Sequence, residues 1–170
     1  MKTDAIAVAN FFIRRATEEE TELTLLKLLK LVYIGYGFCL ALLHRSILND
    51  NFDWVEAWKY GPVIPSVYHT FKHNGKNPIK TEGTVVRDFD DNGEPCIETP
   101  RIEDDDVKLV LNTVWKRYRD INAATLVNLL HQDNTPWAFC YVSGENIEIP
   151  ESVTTVYYEM LIKSIANGRA

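Results

Sequence analysis

Apolar and polar positions along most of this chain repeat at a period near that of an α-helix, and two stretches break the rhythm. Between residues 3 and 16, Ile6, Ala9, Asn10, Phe12 and Ile13 fall at helical spacing, with Thr3 or Asp4 placed to cap the first turn. Glu18-Glu19-Glu20 follows and reads as a solvated charged loop. From Leu23 to Leu43 apolar residues cover almost the whole helical circumference, which marks either the core of a globule or a membrane span. The uncharged run, Leu31 to Leu43, is shorter than the ~18 to 20 apolar residues a bilayer requires. The pattern therefore predicts a buried central helix. Lys27 and Lys30, on one edge of it, read as side chains snorkelling out of the core. Gly35 and Gly37 each cost about 1 kcal/mol against alanine in a helix, which close approach of another backbone would explain.

The first break runs from Phe52 to Tyr60, which reads as extended. A short helix from about Pro65 to His73 follows, stopped by Asn74-Gly75 and Pro78. The second break spans residues 80–100, where Asp90-Asp91-Asn92-Gly93 lies between two β-prone runs. Asn-Gly in that setting predicts a hairpin, with Pro95 confining the second strand to an edge. Helical spacing then resumes with Val107, Val110, Leu111, Val114 and Trp115. Glu103-Asp104-Asp105-Asp106 precedes them, and acids there are favoured by the helix dipole, as are Lys116, Arg117 and Arg119 at the other end. Asn122 and Thr135-Pro136 each carry the chemistry of a helix start. The last helix opens after Ile149-Pro150, stops at Asn167-Gly168, and has Val153, Val156, Tyr157, Met160, Leu161 and Ile165 as its predicted apolar stripe. The expectation is a mostly α, compact single-domain helical bundle around a buried central helix, with a small β-ribbon or ordered loop inserted.

The stretch Glu56 to Tyr68, EAWKYGPVIPSVY, stands apart. Two prolines and a glycine make it too rigid for a plain linker: each proline fixes φ and pushes its predecessor towards extended backbone. Gly61-Pro62 reads as a sharp turn closing the extended segment, and Pro65 suits a first helical turn. The aromatic residues are explained by packing of a rigid loop, by a binding role, or by both. Under the binding reading Trp58, Tyr60 and Tyr68 are the anchors, with Lys59 and Glu56 giving orientation and Pro62 stiffening the face.

Composition narrows the function classes. At 170 residues, 46% hydrophobic and 25% charged, the chain is of ordinary soluble globular make-up and fits one domain. A net charge of −6 argues against non-specific nucleic-acid binding and favours a basic partner surface. Cys39, Cys96 and Cys140 form no CxxC pair; Cys39 and Cys140 lie in apolar runs and read as buried thiols of a reducing cytoplasm. The opening residues lack the order of a secretory signal. His69 and His73, four apart, are a possible two-point metal grip without a third ligand, and His131 with Asp133 a possible base and orienting carboxylate. The plainer reading of His131 is a histidine bonding carbonyls near a helix end. No nucleophile elbow, phosphate-binding loop or dinucleotide fingerprint is present, so catalysis is the minority reading and no metal or cofactor is called for.

Three stretches carry a family resemblance. Leu25 to Tyr33, with Lys27, Lys30 and Tyr33, is similar to a KLQKLLYY-like helix; Phe52 to Tyr68, with Gly61 and Pro65, resembles an FEAWKYGPVVPxVY-like turn. Leu130 to Trp137, with His131, Pro136 and Trp137, is similar to a closing THxxxxPW-like element. Together, over roughly residues 4–140, they resemble the Panacea domain of GepA-like phage-associated proteins and SocA-like antitoxins, with residues 143–170 adding a C-terminal helix. Leu29 and Leu130 depart from the glutamine and threonine common there; losing the glutamine removes a polar role for that helix face and leaves the packing argument intact. The resemblance implies a helical cytoplasmic antitoxin, of phage or mobile-element origin, that neutralises a cognate protein toxin by direct contact. A phage-associated adaptor without a toxin is the alternative, and the oligomeric state is left open.

Overall fold

Local capping chemistry sets most element boundaries in the computed structural model, which describes residues 4–168. Helix α1, Ala5–Glu18, starts where the Asp4 carboxylate accepts the Ala7 N–H at 2.7 Å; Thr3 lies outside the described residues. Helix α2, Leu25–Leu43, closes on His44 in the left-handed region (φ 53°). Strands β1, Glu56–Trp58, and β2, Gly61–Val63, form a hairpin leading into α3, Pro65–Phe71, and a 3₁₀ turn, Lys72–Asn74. Strands β3, Val85–Phe89, and β4, Pro95–Glu98, make a separate antiparallel ribbon closed by the Asn92-Gly93 turn, with Pro95 opening the second strand.

Helix α4, Asp105–Tyr118, is capped by Asp104, α5, Ala123–Leu130, by Asn122, and α6, Pro136–Cys140, by Thr135. In each case the side-chain oxygen accepts a backbone N–H three residues on, worth about 1 kcal/mol per helix. Strand β5, Ile147–Glu148, adds antiparallel to β1, giving a sheet of order β2-β1-β5, and α7, Glu151–Ala166, follows.

The mostly α architecture is as the periodicity predicts, and α2 is its axis: Lys27 through Ala41 are all buried, against α1, α4, α5, α7 and β2. By length and apolarity α2 does reach what a membrane span needs, contrary to the reading from its uncharged run, yet 83% of it is covered by the rest of the fold. Its core side chains, Leu28, Leu31, Val32 and Ile34 among them, are each worth about 1.5–3 kcal/mol on burial.

The two α2 glycines admit side chains, not a second backbone. A Cβ at Gly35 would stand 2.7 Å from Leu111 Cδ2, and one at Gly37 would stand 2.2 Å from Cε2 of the Tyr158 ring, which seats α7. Other expectations also yield. Glu18 belongs to α1, and Glu19 caps its end, accepting from Arg15 (2.6 Å), the Trp115 indole (2.9 Å) and Arg119 (2.7 Å). That is an inter-helix clamp rather than a solvated loop. Cys140 is half-buried, not enclosed like Cys39. On α7 only Thr154 and Tyr158 are fully buried, while Val156 and Met160 of the predicted stripe face solvent.

Candidate functional site

The β1–β2 hairpin is built on strand alternation. Trp54, Glu56 and Trp58 share one face, and the Glu56 carboxylate accepts both indole N–H groups at 2.6 Å. Ala57, on the other face, is fully buried. Trp58 pairs with Gly61, so Lys59-Tyr60 is the turn. Gly61-Pro62, where the sequence predicts the turn, lies beyond it. Gly61 instead supplies φ +101°, and Pro62 lies on an edge strand, where a missing N–H leaves no gap in the ladder. Trp58 meets Tyr68 of α3 edge-on at 4.9 Å. The turn presents Tyr60 to solvent (60% exposed), and Lys59 Nζ lies 5.5 Å from its ring centroid. Pro65 and Pro136 each occupy the first turn of their helices, buried.

Beneath the hairpin lies Lys30. It does not snorkel: it is fully buried and its Nζ donates to Pro62 O at 2.9 Å. Burial without a counter-charge lowers its pKa to about 7. A Cβ at Gly61 would stand 3.0 Å from that Nζ and 3.8 Å from His131 Nε2, so glycine leaves room for both. Lys27 is likewise buried, donating to the carbonyl of Arg119, and burial lowers its pKa. Tyr33, one turn along α2 from Lys30, is buried with its hydroxyl 3.4 Å from Thr154 Oγ1.

The closing element locks the hairpin from the side. Trp137 Nε1 donates to Trp58 O at 2.7 Å, its ring lies 3.8 Å from the His131 ring, and Tyr141 stacks on it at 4.5 Å. His131 Nε2 is buried with no hydrogen-bond partner among the described residues, so Asp133, which is exposed, does not orient it there, nor does that nitrogen bond a carbonyl. Burial, then the neighbouring Lys30 charge, lowers the His131 pKa and so favours the neutral ring. His69 lies edge-on to Tyr68 and His73 meets Asn74 at 3.2 Å; no group of three or more His, Cys, Asp or Glu is placed to hold a metal among the described residues.

The structure thus gathers Lys30, Trp58, Gly61, Pro62, Tyr68, His131 and Trp137, which lie far apart in sequence, into one cluster. A cleft of about 430 Å³ opens beside it, lined by Leu25, Leu29, Lys30, Trp58, Tyr60 and Tyr68 among others. Residues 28–138 match the family described as Antitoxin SocA-like, Panacea domain. The chain belongs to this family. The matched span contains every member of the cluster and ends inside α6. Antitoxin SocA of Caulobacter vibrioides (strain NA1000 / CB15N) is 32% identical over 136 residues, covering 79% of this chain and 68% of that protein. No solved structure matches.

Two polar centres of this SocA-like fold escaped the sequence reading. Buried Asp53 accepts from Ala5 N (3.0 Å), Asn49 N (3.0 Å) and Ser66 Oγ (2.6 Å), tying α1 to α3 just before the hairpin. Asn10, counted there only as a helical position, is fully buried and clamps Gly83 and Pro100. Nothing local marks either residue, because each partner lies on a distant segment.

Proposed function

We propose that this chain is an antitoxin that neutralises a cognate protein toxin by direct contact, without catalysis, and that the hairpin face is part of the contact. The observation that carries the reading is the build of the EAWKYGPVIPSVY stretch within a SocA-like chain. Lys30 and Trp137 hold it from beneath and from the side, yet it turns Lys59 and Tyr60 outward over an open cleft. A rigid aromatic tip loses little conformational entropy on binding. Tyr60 is the outward anchor, Trp58 and Tyr68 form its half-buried support, and Lys59 supplies a directing charge. Glu56 is engaged by two indoles and Pro62 is buried, so both act by shaping the face. The chain acts as one domain, since α7 lays Tyr158 into the α2 core. We take its place of action to be the cytoplasm, with a phage or mobile element as its genetic home and no nucleic acid in the contact.

The test is co-expression with each neighbouring reading frame. One neighbour is expected to arrest growth alone, to be harmless beside this chain, and to co-purify with it. Tyr60→Ala, a surface change, should keep the melting temperature while weakening that complex by about 2 kcal/mol, some thirtyfold. If no neighbour is toxic, or toxicity persists on co-expression, the antitoxin reading fails.

A further inference from the structure

The groove between α6 and α7, about 1060 Å³ with Phe139, Val156 and Met160 on its floor, is open and apolar, but its described lining is uncharged and selects no partner. The β3–β4 ribbon is open, apolar and charged. Register pairs Val86 with Ile97 and Phe89 with Pro95, which puts these four side chains on one face. Val86, Phe89 and Ile97 leave 54%, 63% and 68% of their surface to solvent. The opposite face turns to the body: Val85 packs on the core, and Arg87 pairs with buried Asp4 and, at 2.9 Å, with Glu98. The ribbon thus wears its apolar residues outward, the reverse of an ordinary half-buried strand pair.

It is also held as a stiff arm. A lone two-stranded ribbon is marginal in water, and three ties steady this one. Asn10 clasps both ends of its base, donating to Gly83 O at 2.9 Å and Pro100 O at 3.1 Å and accepting from Gly83 N at 2.7 Å. Arg87 fastens β3 to the cap of α1 through Asp4. At the tip, the Asp90 carboxylate accepts the N–H groups of Asn92 at 2.8 Å and Glu94 at 2.9 Å. Both edges are blunted against strand addition, β3 by its bulge at Arg87 and β4 by Pro95. The ribbon therefore offers its face, not an edge.

Charge selects what that face meets. Residues 84–99 hold five acids, Asp88, Asp90, Asp91, Glu94 and Glu98, against Arg87, a net −4. Arg87 is already paired, and at the base Arg101 is met by Glu82. Asp88, Asp90, Asp91 and Glu94, which flank Phe89 and Pro95 along the chain, are exposed and make no ion pair among the described residues. Such a surface repels a second copy of itself and any polyanion, and attracts a cationic protein surface.

We propose that the outward face of the β3–β4 ribbon docks on the toxin, with Phe89 and Ile97 entering an apolar depression ringed by Lys or Arg that meet the acids of the tip. This is a second contact, made by other residues than the β1–β2 hairpin, and it rests on the antitoxin reading for the identity of the partner.

Two arms test it. In the first, the purified chain is titrated with a labelled, disulfide-closed two-stranded peptide of roughly 14 residues, with Leu and Val on one face and Lys around it. Binding is expected to be at least about tenfold tighter than for a Glu-ringed twin. It should fall at least about tenfold both in the double variant Phe89→Thr, Ile97→Thr and in the double variant Asp91→Lys, Glu94→Lys. Threonine keeps strand propensity at exposed positions, and Asp90, which holds the turn, is kept in both. Circular dichroism and melting temperature should therefore match wild type. No binding of the Lys-ringed peptide, or undiminished binding by either variant, overturns the proposal.

In the second arm each double variant is co-expressed with the neighbour that arrests growth. A folded variant that loses protection and the complex supports the docking; full protection by both overturns it. Should no neighbour be toxic while the peptide arm behaves as expected, the antitoxin reading falls and the ribbon's preference for a cationic apolar partner stands. A wild-type dimer in sedimentation that Phe89→Thr, Ile97→Thr converts to monomer would assign the face to a second copy and overturn the proposal.

Discussion

The hairpin and the α6–α7 groove are both rich in large apolar side chains, yet they are made in opposite ways. In the hairpin the polar groups are tied down internally: Glu56 takes two indoles, Trp58 O takes Trp137, and Pro62 O takes Lys30. Only the Lys59-Tyr60 tip is free of the scaffold. Among the described residues no such network ties the groove, and its floor of Phe139, Val156 and Met160 is open. Aromatic density along the sequence therefore marks scaffold at the first site. At the second, an open apolar surface is assembled from residues that look like an ordinary core stripe.

Four measurements press on that contrast. The largest effect is expected from Gly37→Ala, which drives a methyl into the Tyr158 ring and unseats α7. A loss of about 3 kcal/mol in denaturant titration is expected, because the clash falls on a buried ring with no room to move. A neutral result would mean that α7 is held elsewhere. Trp137→Phe keeps the ring but strips the donor to Trp58 O, and should cost about 2 kcal/mol of stability. Unchanged stability would remove the distinction between a scaffolded hairpin and an unscaffolded groove.

The third is a pH effect centred on Lys30, beneath the hairpin. Folded Lys30 titrates at about 7, far below the ordinary 10.5, so above pH 7 the unfolded chain holds a proton that the folded chain lacks. Stability should then rise with pH from about 7 to about 8.5, by up to about 1.4 kcal/mol per pH unit. Buried Lys27 adds in the same direction, while the raised pKa of Cys39 and of the buried tyrosines opposes it only at more alkaline pH. His131, its pKa lowered, extends the fall in stability below about pH 6.5. Melting curves across this range, flattened by Lys30→Met, check the assignment; an identical slope in the variant would refute it. The smallest effect is at the groove: Met160→Ser should shift stability by less than about 0.5 kcal/mol, since its side chain is already in water. A large loss would show that the groove is core.

How far the sequence can be read follows the range of the forces. Helix starts at Asp4, Asn122 and Thr135 were legible because a cap and its N–H lie three residues apart, whereas Asp104, read only as a first-turn acid, proves to be the cap of α4. The Asn92-Gly93 hairpin and the central helix α2 were legible for the same reason, being written in dihedral preference and local periodicity. The candidate site was legible as a motif, but not in its workings. Lys30 looked like an edge residue until Pro62, 32 positions away, came to rest on it. Glu19 looked solvated until Trp115, 96 positions away, donated to it.

The position of the turn was set by strand pairing and by the space above Lys30, not by the proline that seemed to announce it. The face of α7 that reaches the core was chosen by Tyr158 meeting Gly37, which left Val156 and Met160 outside. The sequence by itself determined the helices, most of their starts and the presence of the rigid motif, because those depend on interactions within a few residues. Tertiary structure alone decided which lysine is buried, which nitrogen is orphaned and which apolar stripe stays open, because burial and pairing are properties of segments brought together across the whole chain.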